Sequence, residues 1–199
     1  MKFEINGKAP TVNPSAIVAP TAVLSGDVNV GADAHISFGA VVLGEEAPVT
    51  IGARSIIREN VVIRSSSKHP VHIGDSVLVG AHSALYGYTV QDNVFLATGV
   101  TVFHGACIEG GAEVRINGVV HVNTRLASGA TVPIGWVAVG DPATVFLPDE
   151  HDQIWRIQRE LDFPGTVYGV KRGPDGNVDM SEVTKLGVDR ANRGWRMIE

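Results

Sequence analysis

The chain has 199 residues, with 21 acidic against 16 basic side chains, a formal net charge of −5, and only 19% charged residues. No cluster of Lys and Arg stands out, which excludes the basic face that nucleic acid or an anionic membrane surface demands. No apolar run approaches the roughly 20 residues of a membrane span either.

The length fits one domain with an appendage. The opening MKFEINGKAP lacks the apolar core of a signal peptide. A single cysteine, Cys107, rules out an internal disulfide, so a cytoplasmic protein is the simplest expectation. Cys107 itself is expected to be a small buried side chain.

From Val12 onward, apolar residues recur every six positions: Val12, Val18, Leu24, Val30, Ile36, Val42. The step resumes as Ile51, Ile57, Ile63, then Ile73, Val79, Leu85, then Val90, Leu96, Val102. It runs without interruption from Ile108 through Val114, Val120 and Leu126 to Val132. Four places after these positions stand small or β-branched residues, such as Ala16, Ala22, Ala34, Ala40, Val61, Ser83, Thr89, Val100, Ala106 and Ala130. A period of six fits neither a helix nor an alternating strand. It fits short strands joined by tight turns, each pointing one aliphatic and one small residue inward. Three such units close a triangular coil, and coils stack at about 4.8 Å, the spacing of hydrogen-bonded strands.

The expected fold is therefore all-β: a parallel β-helix of about seven triangular coils over roughly residues 11–140. The expected divisions are a repeat domain at 1–147, a C-terminal helix at 148–163 and an extension at 164–199. Two interruptions break the repeat, GEEAP between Val42 and Ile51, and RSSSKHPVH between Ile63 and Ile73. Both are expected to bulge from a corner of the prism, and protruding loops on a rigid scaffold are where function collects. His69 and His72 in the second loop are two metal-ligand types, short of the three that a metal site needs.

After VAVGDPATVF comes LPDEHDQIWRIQRELDFPG. Asp149 is placed to cap a helix, Asp152 to sit in its first turn, and Ile154, Ile157 and Leu161 to face the prism wall. Pro164 and Gly165 are expected to end it. Beyond it, the sequence offers a GPDGN turn and a short helix around Met180 to Leu186, in a tail that is either loosely ordered or strapped to a neighbouring subunit through Trp195.

The repeat resembles that of the hexapeptide-repeat proteins, whose parallel β-helix is left-handed. Within them, the segment NPSAIVAPTAVLSGDVNVG, the loop after Val42, the VGDPA closing element and a single C-terminal helix resemble the γ-class carbonic anhydrase family. The resemblance implies a homotrimer with a zinc-like metal between subunits, held by two histidines of one chain and one of its neighbour. Those positions fall here on Arg64, Ala81 and Tyr86, and His82 is one place beyond the second. Guanidinium has no lone pair and cannot ligate. At about 4 Å, and an effective dielectric of roughly 20, it repels a divalent ion by about 8 kcal/mol. The resemblance thus implies a family site without its metal: no metal and no cofactor are expected. The family's Arg-Gly-Asp run reads Leu43-Gly44-Glu45, and its Gln-Asp pair reads Arg58-Glu59.

Stacking equivalent corners places Arg64, Tyr86, Phe103 and His121 in one column, with His104 beside Tyr86. By the family's trimer geometry, Arg58, Glu59 and His82 arrive from the neighbouring chain. In this set Arg58 and Arg64 hold a small anion or carbonyl compound by bidentate bonds. Glu59, His82 or His104 moves a proton, and Tyr86 donates to a developing oxyanion. The plainer reading makes Arg58, Glu59 and Arg64 an ion-pair network sealing the trimer, and His82 a solvated turn residue. Three other functions stay open at this point. One is a non-catalytic trimeric scaffold. Another is acyl transfer with a His82 or His104 base, although GDPATV lacks the basic residue often found after Pro-Ala in such enzymes. The last is a rearranged metal site using His82, His104 and a loop histidine.

Overall fold

The computed structural model describes residues 1–174, 176–191, 194 and 196–198. Short parallel strands wind into a three-walled prism of seven complete coils, and the strand Lys2–Glu4 opens a further partial coil at the N-terminal end. The first wall stacks Thr11–Val12, Val71–Ile73, Thr89–Val90, Cys107–Ile108 and Arg125–Leu126, together with the second halves of the long strands Val23–Val30 and Val41–Ile51. The second wall is the seven-stranded sheet from Ile17–Val18 to Thr131–Val132. The third carries the first halves of the long strands, then Val62–Arg64, Ala84–Tyr86, Thr101–Val102, Val119–Val120 and Val137–Val139.

The six-residue arithmetic works because the interior is too narrow for anything else. Leu24, Ile36, Val42, Ile57, Ile63, Leu85, Leu96, Ile108 and Val120 are sealed from solvent, as are Ala22, Ala34, Ala40 and Ala112 in the small slots. Burying one such aliphatic side chain contributes about 1.5–3 kcal/mol, and each coil repeats the gain three times. The corners need left-handed backbone. Asn60, His82, Asn93, Asn117 and Asn123 supply it with φ between 51° and 61°, as Asn more readily does than bulkier residues. At Gly99 and Gly105 a Cβ would lie 2.2 and 2.1 Å from the Asn117 and Asn123 side-chain oxygens of the next coil, so only glycine fits.

Several expectations are corrected. GEEAP does not leave the sheet: Val41–Ile51 runs as one strand, and the extra residues are absorbed by a register shift opposite Gly26 and Val28. The second insertion does turn outward, with Ser66 and His69 bridged in a tight turn. The two loops are tied together. The buried Ser65 Oγ donates to Ala47 O at 2.6 Å and accepts from Ala47 N at 3.3 Å, while Ser67 N donates to Glu46 Oε2 at 2.8 Å. Thr89 is exposed rather than inward. The step from Leu85 to Val90 is one residue short, so Tyr88 takes the inward slot between Val71 and Ala106. Cys107 is not buried; it stands half-buried on the outer first wall, in register with Thr89 and Arg125.

The C-terminal helix α1, His151–Gln158, starts after Glu150, not Asp149. Glu150 is favoured because its carboxylate accepts from Leu147 N at 2.7 Å and Gln153 Nε2 at 2.9 Å. A 3-10 turn, Arg159–Leu161, follows, and Asp162 breaks it in left-handed conformation. Pro164 and Gly165 do not terminate a helix. They lie in the short helix α2, Phe163–Val167, where proline at the start loses no hydrogen bond. As expected, α1 leans on the last coil, with Ile154 buried and Ile157 close to Gly140. The helix α3, Met180–Ala191, extends past the Leu186 boundary. The strand Arg196–Ile198 pairs antiparallel with Lys2–Glu4, and Trp195 lies outside the described residues. Among the described residues no helix is long and apolar enough to cross a membrane.

The three outer walls differ. Outward residues on the first are mostly polar: Thr11, Asn29, Thr50, His72, Thr89, Arg125. On the second they are Ile17, Ile56, Leu78 and Phe95, interrupted by the exposed His35, before turning polar at Glu113 and Thr131. On the third they are Val23, Val41, Val62, Ala84, Thr101, Val119 and Val137, all small or β-branched.

Candidate functional site

The nominated residues occupy two corners of the prism. Arg64 and Tyr86 are register partners at the end of the third wall, with Leu43 preceding them in the same column. Tyr86 stacks on His104, ring centroids 5.9 Å apart and planes 13° apart, and lies 6.3 Å from Phe103. The column continues through His121 to Phe163 of α2, which packs edge-on against Phe103 at 5.4 Å and lies 5.6 Å from His121. Arg64 is exposed, Tyr86 half-buried and His104 buried. Mutual contact between aromatic faces and edges fixes such a stack to within a narrow range of positions.

Arg58, Glu59 and His82 stand at the opposite edge of the third wall. Arg58 Nε donates to Glu59 Oε2 at 3.0 Å, and His82 N donates to the Glu59 carbonyl at 2.9 Å. Hydrogen bonds from its own backbone and from Arg58 hold the Glu59 carboxyl below the usual range, which makes it a steady anion rather than a proton carrier near neutral pH. His82 is an exposed turn residue with φ 61°, structurally equivalent to Asn60 and Gly99 in neighbouring coils. Beside it, Ala81 and Arg58 line a shallow cleft of about 270 Å³ with Leu78, Phe95, Thr98 and Ile116. One chain therefore gathers Arg64, Tyr86 and His104 at one corner and Arg58, Glu59 and His82 at another.

One residue of the first corner is missed by pattern reading. His69, on the second insertion, comes within 5.9 Å of His104, ring to ring at 70°. Gly87 makes this approach possible. At φ 49° it passes so close beneath that a Cβ there would lie 2.6 Å from His69 Cβ and 3.1 Å from His104 Cδ2. The visible signal is the five-residue step from Leu85 to Val90 directly after the insertion. Burial, and then the neighbouring Lys68 charge, push the His69 imidazole down. His121 is pushed down to about 4 by burial, and Gln158 Nε2 of α1 approaches its Nε2 at 2.5 Å. His72 is exposed on the first wall, in register with Thr89.

The positions that the family resemblance assigns to metal ligands hold a guanidinium, a methyl group and a phenol. Among the described residues no three His, Cys, Asp or Glu side chains gather where a metal ion could be held. The donor set at these positions does not fit a divalent metal.

No family model matches the chain. It is 36% identical over 128 residues to the mitochondrial gamma carbonic anhydrase 1 of Arabidopsis thaliana, covering 61% of this chain and 46% of that protein. The chain thus spans about half the length of that relative. A carbonic anhydrase of Geobacillus kaustophilus is 30% identical over 171 residues, covering 84% of this chain and 91% of that one. Among solved structures, a hexapeptide transferase family protein from Anaplasma phagocytophilum aligns with a TM-score of 0.53 at 22% identity, over 92% of this chain and 94% of that one. A likeness at that identity concerns the fold alone.

Proposed function

The chain belongs to the γ-class carbonic anhydrase-like family of hexapeptide-repeat, left-handed β-helix proteins, and from that membership we propose that it acts as a homotrimer binding a small anionic or carbonyl substrate between subunits without a resident metal. The observation that carries this reading is Arg64, exposed and in register with Tyr86 at the corner where the family places ligands. A permanent cation beside a phenol and a buried imidazole suits a carboxylate or bicarbonate-like anion, which guanidinium grips through paired N–H groups. Arg58 of the neighbouring chain supplies the second positive group, and Glu59 fixes its orientation. Glu59 is held ionised, so in this reading the proton-moving role falls to His82 or His104. Tyr86 donates to the ligand oxygen that gains charge.

Threefold association is supported by the walls. Ile17, Phe38, Phe95, Ile116 and Ile134 remain 42–63% exposed along the second wall and its corner, and the third wall is lined outward by valines with Ala84 and Thr101 among them. Exposed apolar residues gathered on adjoining faces in this way support an association surface. Packing it against a copy brings the two corners together. A cytoplasmic setting fits a chain with one cysteine.

The test pairs metal analysis of protein purified without chelator with calorimetric titration by bicarbonate and acetate. The expected result is metal far below one per chain, and anion binding weakened by roughly 10- to 150-fold in Arg64→Ala, the ~1.5–3 kcal/mol of a charge-assisted hydrogen bond. One zinc, cobalt or iron per chain, or anion binding indifferent to both Arg64→Ala and Tyr86→Phe, would sink the reading.

A further inference from the structure

Both ends of the third-wall sheet are closed by antiparallel strands drawn from the C-terminal third of the chain. At the far end, Thr144–Phe146 folds back on Val137–Val139. At the near end, Arg196–Ile198 covers Lys2–Glu4, pairing Lys2 with Ile198, Phe3 with Met197 and Glu4 with Arg196. The chain leaves the prism at its last coil, so this segment has returned along the whole stack, roughly 34 Å for seven strand spacings. A solenoid needs terminal caps because an uncovered end presents unpaired backbone groups to any strand that meets it.

This cap is lightly held. Among the described residues it consists of three paired residues and one exposed ion pair, Arg196 Nη2 to Glu4 Oε2 at 2.5 Å, and an exposed pair adds little. Met197 stays 68% exposed on it. Beneath it the prism opens into an apolar cavity of about 640 Å³ that includes Val12, Ala16 and Val18, core-column residues with no coil below them. The covered strand reads Lys2-Phe3-Glu4. Set antiparallel against itself about Phe3, it places each Lys2 opposite a Glu4 of the other copy, a self-complementary edge of the kind a two-fold contact requires.

We propose that the Arg196–Ile198 strand is a releasable cap, and that the Lys2–Glu4 edge beneath it is a docking surface for the same edge of a second copy of this chain. Release joins two prisms end to end through continuous sheet. The inference does not depend on the corner site or on its ligand.

The test compares full-length variants by sedimentation and by hydrogen exchange at the Lys2–Glu4 amides. Ile198→Pro, which removes the backbone donor opposite Lys2, and Arg196→Glu, which reverses the ion pair, are expected to double the assembly mass in a concentration-dependent way. Adding Glu4→Lys to Ile198→Pro sets like charges opposite each other, and is expected to return the mass to that of the parent while the Lys2 and Glu4 edge amides exchange freely. Far-UV circular dichroism checks that each variant keeps its sheet. The proposal is overturned if Ile198→Pro frees the edge amides but leaves the mass unchanged, if the doubled mass survives Glu4→Lys, or if the parent's edge amides are already unprotected.

Discussion

Tyr88 occupies a slot that neighbouring coils fill with Val71 and Ala106, and its ring is 1% exposed within the prism core. Its hydroxyl is sealed from solvent and has no hydrogen-bond partner among the described residues. Leaving such a group unsatisfied costs about 1–3 kcal/mol. Tyr88→Phe removes the hydroxyl and keeps the ring, so no cavity opens and the packing energy is retained. The variant is expected to be more stable than the parent by about 1–3 kcal/mol, which is a rise in Tm of roughly 2–12 °C for a chain of this size. Burial also holds the Tyr88 phenol well above its ordinary value of 10.0. Above that pH the unfolded chain releases the proton while the native chain keeps it, so parent stability is intact below about pH 10 and declines as pH rises beyond it. The advantage of Tyr88→Phe should therefore widen above pH 10. Chemical denaturation of both proteins at matched concentration, at pH 8 and pH 10.5, measures both effects. A variant less stable than its parent at pH 8, or a difference that does not grow with pH, would refute the reasoning.

Gly87→Ala forces a Cβ to within 2.6 Å of His69 Cβ at a φ of 49°. It is expected to cost about 1–3 kcal/mol and to shift the imidazole resonances of both His69 and His104. Unchanged resonances would mean the two rings do not meet over this turn. His121 is held down to about 4, so between that value and 6.5 the unfolded chain binds the proton that the native one refuses. Stability conferred by the neutral ring is complete above about pH 6.5 and declines as pH falls towards 4, by up to about 3 kcal/mol. His121→Phe should flatten that part of the pH–stability curve in urea titrations, and an unchanged slope would count against the assignment.

Much of the fold is legible in the chain because the interior of a narrow prism imposes a strict local rule. A side chain either fits a six-residue slot or it does not, and no long-range knowledge is needed to see that Val114 and Val120 point the same way. The third-corner column of Arg64, Tyr86, Phe103 and His121 follows from the same counting. What counting misjudges is where the count breaks. The path of GEEAP depends on a register shift against Gly26 and Val28, two coils' worth of backbone that no local pattern encodes. The short step at Leu85–Val90 reads as a slip, yet it turns Tyr88 inward and draws His69 onto His104.

The repeat alone thus determined the architecture, the walls and the columns, because strand spacing and slot volume are set by neighbours six residues apart. Only the tertiary structure decided which insertion residue joins the Tyr86 corner, which helix residues buttress His121, and that the chain's last strand meets its first. Those contacts join segments between 35 and 192 residues apart in sequence. Their formation is governed by close approach at a glycine and by pairing of an open sheet edge, neither of which leaves a periodic trace.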